Sequence, residues 1–148
     1  MLAVRCKTQR NQMNKEQLLD HLTNKVYCRI APSRIHGVGV VAIKTIPQGI
    51  NPLDVFEEEI RYTHEELEHL EPGVHDLLTA YCYQDADSVY VPISGLNNIA
   101  ILRCLNHSSD PNIEFDPVDG VITTLREILP GEELVFEDRK STRLNSSH

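Results

Sequence analysis

A chain of 148 residues with a net charge of −8 at pH 7 and 41% hydrophobic residues suits one domain built on one core. No apolar run approaches the roughly 20 residues of a spanning helix, and Met1 to Gln12 lacks the apolar stretch of a signal peptide, so a soluble intracellular protein is expected, cytoplasmic or, in a eukaryote, nuclear. The charge argues against a phosphate-binding, nucleic-acid surface and suits cationic partners or plain solubility, while Cys6, Cys28, Cys82 and Cys104 lie too far apart for zinc or a disulfide framework and read as free buried thiols.

In chain order, residues 1–25 read as an extension followed by a helix. Asn14 caps it, Gln17 can return the bond, and Leu18, Leu19 and Leu22 form an apolar stripe. Short β-branched or alternating runs then predict strands at Val26–Ile30, Val38–Ile43, Val89–Ile93, Ile113–Phe115, Val121–Leu125 and Leu134–Phe136. Pro47-Gln48-Gly49 and Pro130-Gly131 mark turns, and Asp119-Gly120 signals a hairpin. Between strands, Thr63 with Glu66 makes a capping box and Pro72 opens a helix through Leu77 and Leu78, which places a helical insertion at about 63–80. Many short strands with a helical insertion predict a mainly β fold of several small sheets, not alternating βαβ units.

The last eleven residues, Asp138 to His148, read like a sequencing adapter translated in one frame and are expected to be an artefact. They hold three of the 14 basic and one of the 22 acidic residues, so residues 1–137 keep 11 against 21, a charge of −10.

Three segments carry chemistry. In Ile35-His36-Gly37-Val38-Gly39-Val40-Val41-Ala42 the two glycines allow either close backbone approach to a ligand or a bulge at a strand start. Leu102-Arg103-Cys104-Leu105-Asn106-His107-Ser108-Ser109-Asp110-Pro111-Asn112 sets polar residues after apolar ones, and taken alone such residues satisfy a turn. Ile128-Leu129-Pro130-Gly131-Glu132-Glu133-Leu134-Val135-Phe136-Glu137 is a turn entering a strand.

Together, in this order and spacing, the three segments resemble the SET-domain protein-lysine methyltransferases over roughly residues 26–137, most specifically at Asn106-His107-Ser108 and Pro111-Asn112. The resemblance implies a SET-domain β-clip in which the Asn106 to Asn112 segment threads beneath the C-terminal strand as a pseudoknot, an exception to the rule against threading. It implies S-adenosylmethionine as cofactor, held by His36, Gly37, Val38, Gly39, Asn106 and His107, and a protein or peptide lysine as substrate. Tyr81 or Tyr83 becomes the candidate to line the lysine channel. Two positions depart from the family pattern: Ser109 replaces a cysteine of the zinc-binding version, so no metal is expected, and Asp138 stands where the family has tyrosine. The chain as it stands is therefore expected to be inactive or weak.

Methyl transfer to lysine needs the neutral amine. Lowering its pKa from about 10.4 to about 7 corresponds to roughly 4.6 kcal/mol, which an apolar channel beside a sulfonium supplies through desolvation and charge repulsion. Alignment of nucleophile and methyl carbon does most of the rest. A β-clip that binds basic peptides without turnover, or one that is purely structural, shares the fold but needs no cofactor site.

Overall fold

The computed structural model describes residues 13–55, 57–116 and 119–137; Met1 to Gln12 and the segment from Asp138 onward, including the position of the family tyrosine, lie outside the described residues. Asn14 opens α1 (Lys15–Asn24) with both bonds of the expected capping box, Gln17 N to Asn14 Oδ1 at 2.8 Å and Asn14 N to Gln17 Oε1 at 3.0 Å. Its leucine stripe does not enter the core. Leu18, Leu19 and Leu22 are 45%, 64% and 59% exposed.

In the main sheet β1 (Cys28–Pro32) pairs with β2 (Val38–Ala42), β2 with β9 (Glu133–Phe136), and β9 also with β6 (Asn106–His107). Strands β1, β2 and β9 are antiparallel, while β6 runs parallel to β9 with Asn106 opposite Val135. Alternation drives one face inward: Val40 and Ala42 from β2 meet Leu134 from β9, and Val40 and Leu134 are wholly buried. Burying each such side chain stabilises the fold by roughly 1.5–3 kcal/mol. Ile113 and Ile122, from the hairpin of β7 (Ile113–Phe115) and β8 (Ile122–Thr124), complete this core with Ile46 and Ile128, which form a bridge of their own.

A second sheet has the order β3 (Glu59–Thr63), β5 (Ser88–Pro92), β4 (Tyr83–Gln84) and packs with α2 (Pro72–Tyr81) through Leu78, Cys82 and Val89. Pro72 occupies the first turn of α2, where a missing N–H costs nothing.

Several sequence expectations shift. β1 begins two residues later than predicted and runs through Pro32. The Thr63–Glu66 capping box forms, with bonds of 3.0 and 3.2 Å, yet it opens one 3-10 turn, Glu65–Leu67, because Thr63 is already the last residue of β3. Strands β3, β4 and β6 are not among the expected strands: β4 and β6 are two residues long, too short to carry a pattern, and in β3 Ile60 and Tyr62 alternate with polar residues without being fully buried. The Asp119-Gly120 signal does mark the β7–β8 hairpin, but pairing ends at Phe115 with Ile122, so the connection is longer than a two-residue turn. Gly120 takes φ +73°, and Asp116 N donates to Val121 O across the loop.

The N–H and C=O groups of successive strand residues point to opposite edges, and this decides the topology around β9. Residues 132, 134 and 136 face one edge: Ala42 N donates to Glu132 O at 2.9 Å and Ser108 N to Phe136 O at 2.8 Å. Residues 133 and 135 face the other edge, where Asn112 N donates to Val135 O at 3.0 Å, Val135 N to Asn112 Oδ1 at 2.8 Å and Asn112 Nδ2 to Glu133 O at 2.8 Å. The chain from Asn106 to Asn112 thus passes from one edge of β9 to the other. That is the threaded pseudoknot of the SET-domain β-clip.

Candidate active site

Ser33 starts the site. The loop after β1 closes on itself through Ser33 N to Gly37 O at 2.9 Å, with Gly37 at φ +52°, a conformation that disfavours side chains. The Ser33 hydroxyl accepts from Ile35 N at 2.9 Å and His36 N at 3.3 Å. It donates to the Glu133 carboxylate, lying 2.8 and 2.9 Å from its two oxygens. This loop delivers the backbone carbonyls of His36 and Val38 toward β6.

Asn106 receives them. Its Nδ2 lies 3.2 Å from His36 O, 3.0 Å from Val38 O, 2.9 Å from Glu133 Oε2 and 3.1 Å from Ser33 Oγ. Two carbonyls and a carboxylate around one end of the amide require that end to be the donor. The carboxamide oxygen is therefore turned away from all three. Among the described residues no protein donor reaches it, and Ser88 Oγ is the buried unpartnered side-chain atom, so the Asn106 oxygen is open to solvent.

Gly39 has a packing role that the sequence did not reveal. A Cβ there would fall on the Glu133 carboxylate, 2.8 Å from Cδ, and 3.2 Å from Asn106 Nδ2. The missing side chain makes room for the Glu133–Asn106 bond. Gly37 meets no atom within 4 Å of such a Cβ.

His107 is exposed, with its ring edge-on to Phe136 at 6.4 Å, and Phe136 lies 6.3 Å from Phe115. Tyr81 ends α2 and packs half-buried against the main core, whereas Tyr83 is 43% exposed and pairs with Tyr90 at 5.5 Å in the second sheet. So the structure joins His36, Val38 and Asn106 by direct bonds, puts Gly37 and Gly39 beside them, and leaves Tyr83 in the second sheet while Tyr81, at the end of α2, packs on the main core.

Arg103 links the two. Its guanidinium, 7% exposed, bonds Glu57 at 3.2 Å, Glu59 at 2.7 Å and the carbonyl of Tyr81 at 3.2 Å. Burial by itself lowers its pKa, but the hydrogen bonds to Glu59 and Glu57 outweigh that and hold the charge. Sequence reading missed Ser33, Glu133 and Arg103 as site residues. Glu133 carried a usable signal: it is a carboxylate that opens an otherwise apolar strand, Leu134-Val135-Phe136.

A shallow groove of about 430 Å³ lies across β1, β2 and β9, lined by Pro32, Arg34, Val41, Asp110, Arg126 and Glu133 among others. It adjoins the Asn106 site but does not contain Asn106. Among the described residues no cluster of metal-ligating side chains occurs, and no helix is long and apolar enough to cross a membrane. Cys28, Cys82 and Cys104 are free and buried, and burial pushes the Cys28 thiol up to about 11.

The threaded segment and its neighbouring loop fit a SET-type β-clip, and the family match agrees. The SET-domain family model matches residues 37–137, and the chain belongs to that family. It is 30% identical over 122 residues to a histone-lysine N-methyltransferase, H3 lysine-4 specific, of Schizosaccharomyces pombe, covering 76% of this chain and 13% of that protein. A protein of the same description from Chaetomium globosum is 29% identical over 128 residues, covering 80% of this chain and 11% of that one. The chain thus spans a small part of the curated relatives it matches. Among solved structures, the methyltransferase domain of human PR domain-containing protein 2 is 20% identical, with a TM-score of 0.49 over 74% of this chain and 75% of that one.

Proposed function

We propose that the chain transfers a methyl group from S-adenosylmethionine to the ε-amine of a protein lysine. The observation that supports it most is the convergence of His36 O, Val38 O and Asn106 at the crossing of the threaded segment. The residues present suit this cofactor: the Glu133 carboxylate and the outward Asn106 oxygen favour a cationic ligand, and the His107, Phe136 and Phe115 rings offer an apolar edge nearby. When bound, S-adenosylmethionine supplies an electrophilic methyl group on sulfur.

In this reading Asn106 and the His36–Gly39 backbone hold the amino-acid end, and His107 borders the adenine end. Tyr81 or Tyr83 lines the lysine channel and orients the amine, which forms its N–C bond as the S–C bond breaks and loses its proton to water. The chain's negative charge suits a Lys-rich substrate, and the histone H3 lysine-4 specificity in the relatives' names makes a histone tail the first substrate to try. A histone substrate would put the protein in the nucleus.

Calorimetry with S-adenosylhomocysteine and labelled methyl transfer to a lysine-peptide array, histone tails included, test this on the chain as it stands and on Asp138→Tyr. Both are expected to bind, and the tyrosine variant to transfer at least about tenfold faster, a difference of roughly 1.4 kcal/mol in barrier. Failure of both to bind would refute the reading in favour of a non-catalytic module.

A further inference from the structure

The Asn106 amide has acceptors crowded around its nitrogen, and two of those contacts come from residues far away in sequence that also contact each other: Ser33 and Glu133. The carboxylate takes the Ser33 hydroxyl on one side and Asn106 Nδ2 on the other. Gly39 clears the space in which it lies. We propose that Glu133 and Ser33 are positioning residues: their carboxylate–hydroxyl pair locks the Asn106 amide with its oxygen outward and sets a fixed negative charge behind it, so that the site selects a ligand bearing a cationic amine.

The physical case has three parts. Charge-assisted hydrogen bonds are roughly twice as strong as neutral ones, so the carboxylate is the dominant orienting partner of an otherwise rotatable amide. Ser33 takes up the second lone-pair direction of that carboxylate and at the same time pins the loop that presents His36 O. The outward oxygen then needs no reorganisation when an ammonium donor arrives, and pre-organisation of this kind saves ordering cost at binding.

This inference rests on the methyltransferase reading, and its test separates the two. The probes are S-adenosylhomocysteine and the same compound with its α-amine replaced by hydrogen, titrated calorimetrically into the wild type, Glu133→Gln and Ser33→Ala. Gln keeps the shape but turns an amide toward Asn106 that can face it with a donor, allowing the Asn106 amide to flip. Expected is a loss of about tenfold for S-adenosylhomocysteine in Glu133→Gln and about threefold in Ser33→Ala, with less than about twofold change for the deaminated compound in either. Ser33→Ala leaves the Glu133–Asn106 bond in place and serves if Glu133→Gln fails to fold. Equal losses for both compounds, or no loss for either, would overturn the positioning role while the methyltransferase reading stands. No binding of either compound to the wild type would remove that reading and this inference with it.

Discussion

The two sheets are held together by different means. Around β9, ten buried residues form one cluster and the backbone of the strand is satisfied on both edges, the far one by Asn112. The β3–β5–β4 sheet with α2 has a buried apolar cluster of only three among the described residues, Leu78, Cys82 and Val89, and leans on Arg103, whose guanidinium bridges to Glu57, Glu59 and Tyr81 O. The site built from Ser33, His36, Asn106 and Glu133 lies in the first region, where long-range bonds over-determine each position; the candidate channel tyrosines lie on or against the second. A rigid cofactor-side frame beside a lightly anchored substrate-side sheet lets one region vary without disturbing the other.

The largest effect that would sharpen this contrast is Asn112→Ala. Removing its side chain leaves Val135 N and Glu133 O unpaired in a position that is 3% exposed, which should cost about 3 kcal/mol or more of global stability. Denaturant unfolding followed by fluorescence or circular dichroism measures it, and a loss below about 1 kcal/mol would show that the crossing is not held by this side chain.

Arg103→Ala should act on the second region. Glu59 is 32% exposed and can rehydrate, while Glu57 at 17% does so only in part, so the expected cost is about 2 kcal/mol rather than the roughly 3–5 typical of a fully buried pair. Hydrogen exchange should rise in β3 and β5 and stay low in β2 and β9. Uniform loss of protection over both sheets would break the comparison, because it would make Arg103 part of one shared core.

The smallest effect belongs to the rim. The Arg126 hydrogen bond, then the Leu129 N–H, lowers the Glu132 carboxyl below its ordinary range. A lowered folded pKa means that the unfolded state binds the extra proton first, so this contribution is present at neutral pH and fades as pH falls through the folded value. The pair is solvent-screened, with side chains 53% and 35% exposed, and Glu132→Gln should cost only about 0.5 kcal/mol at pH 7. Melting curves of both proteins should converge in acid; a gap that widens there would reverse the sign.

Local chemistry made much of the molecule legible in its sequence. Asn14 with Gln17, Pro72 and the β-branched runs name their elements because caps, a fixed φ and period-two burial act over a few residues. The Asn106-His107-Ser108 and Pro111-Asn112 pattern pointed to a threaded segment only through its resemblance to the SET family, because taken alone such residues read as a turn.

What only the tertiary structure decided is who meets whom. Ser33 and Glu133 stand 100 residues apart, Ser33 and Asn106 73 apart, and no propensity or spacing acts across such distances. Gly39 shows this most clearly. From sequence its bare backbone reads as room for a ligand or a bulge, yet the folded chain fills that room with the carboxylate of Glu133, because the pairing of β2 with β9 sets the two side by side. Arg103 is similar: as one cation in a motif it has no evident partner, and only the approach of β3 surrounds it with Glu57 and Glu59. Pairing between strands distant in sequence places these charges, and that pairing is settled by burial of the whole core at once.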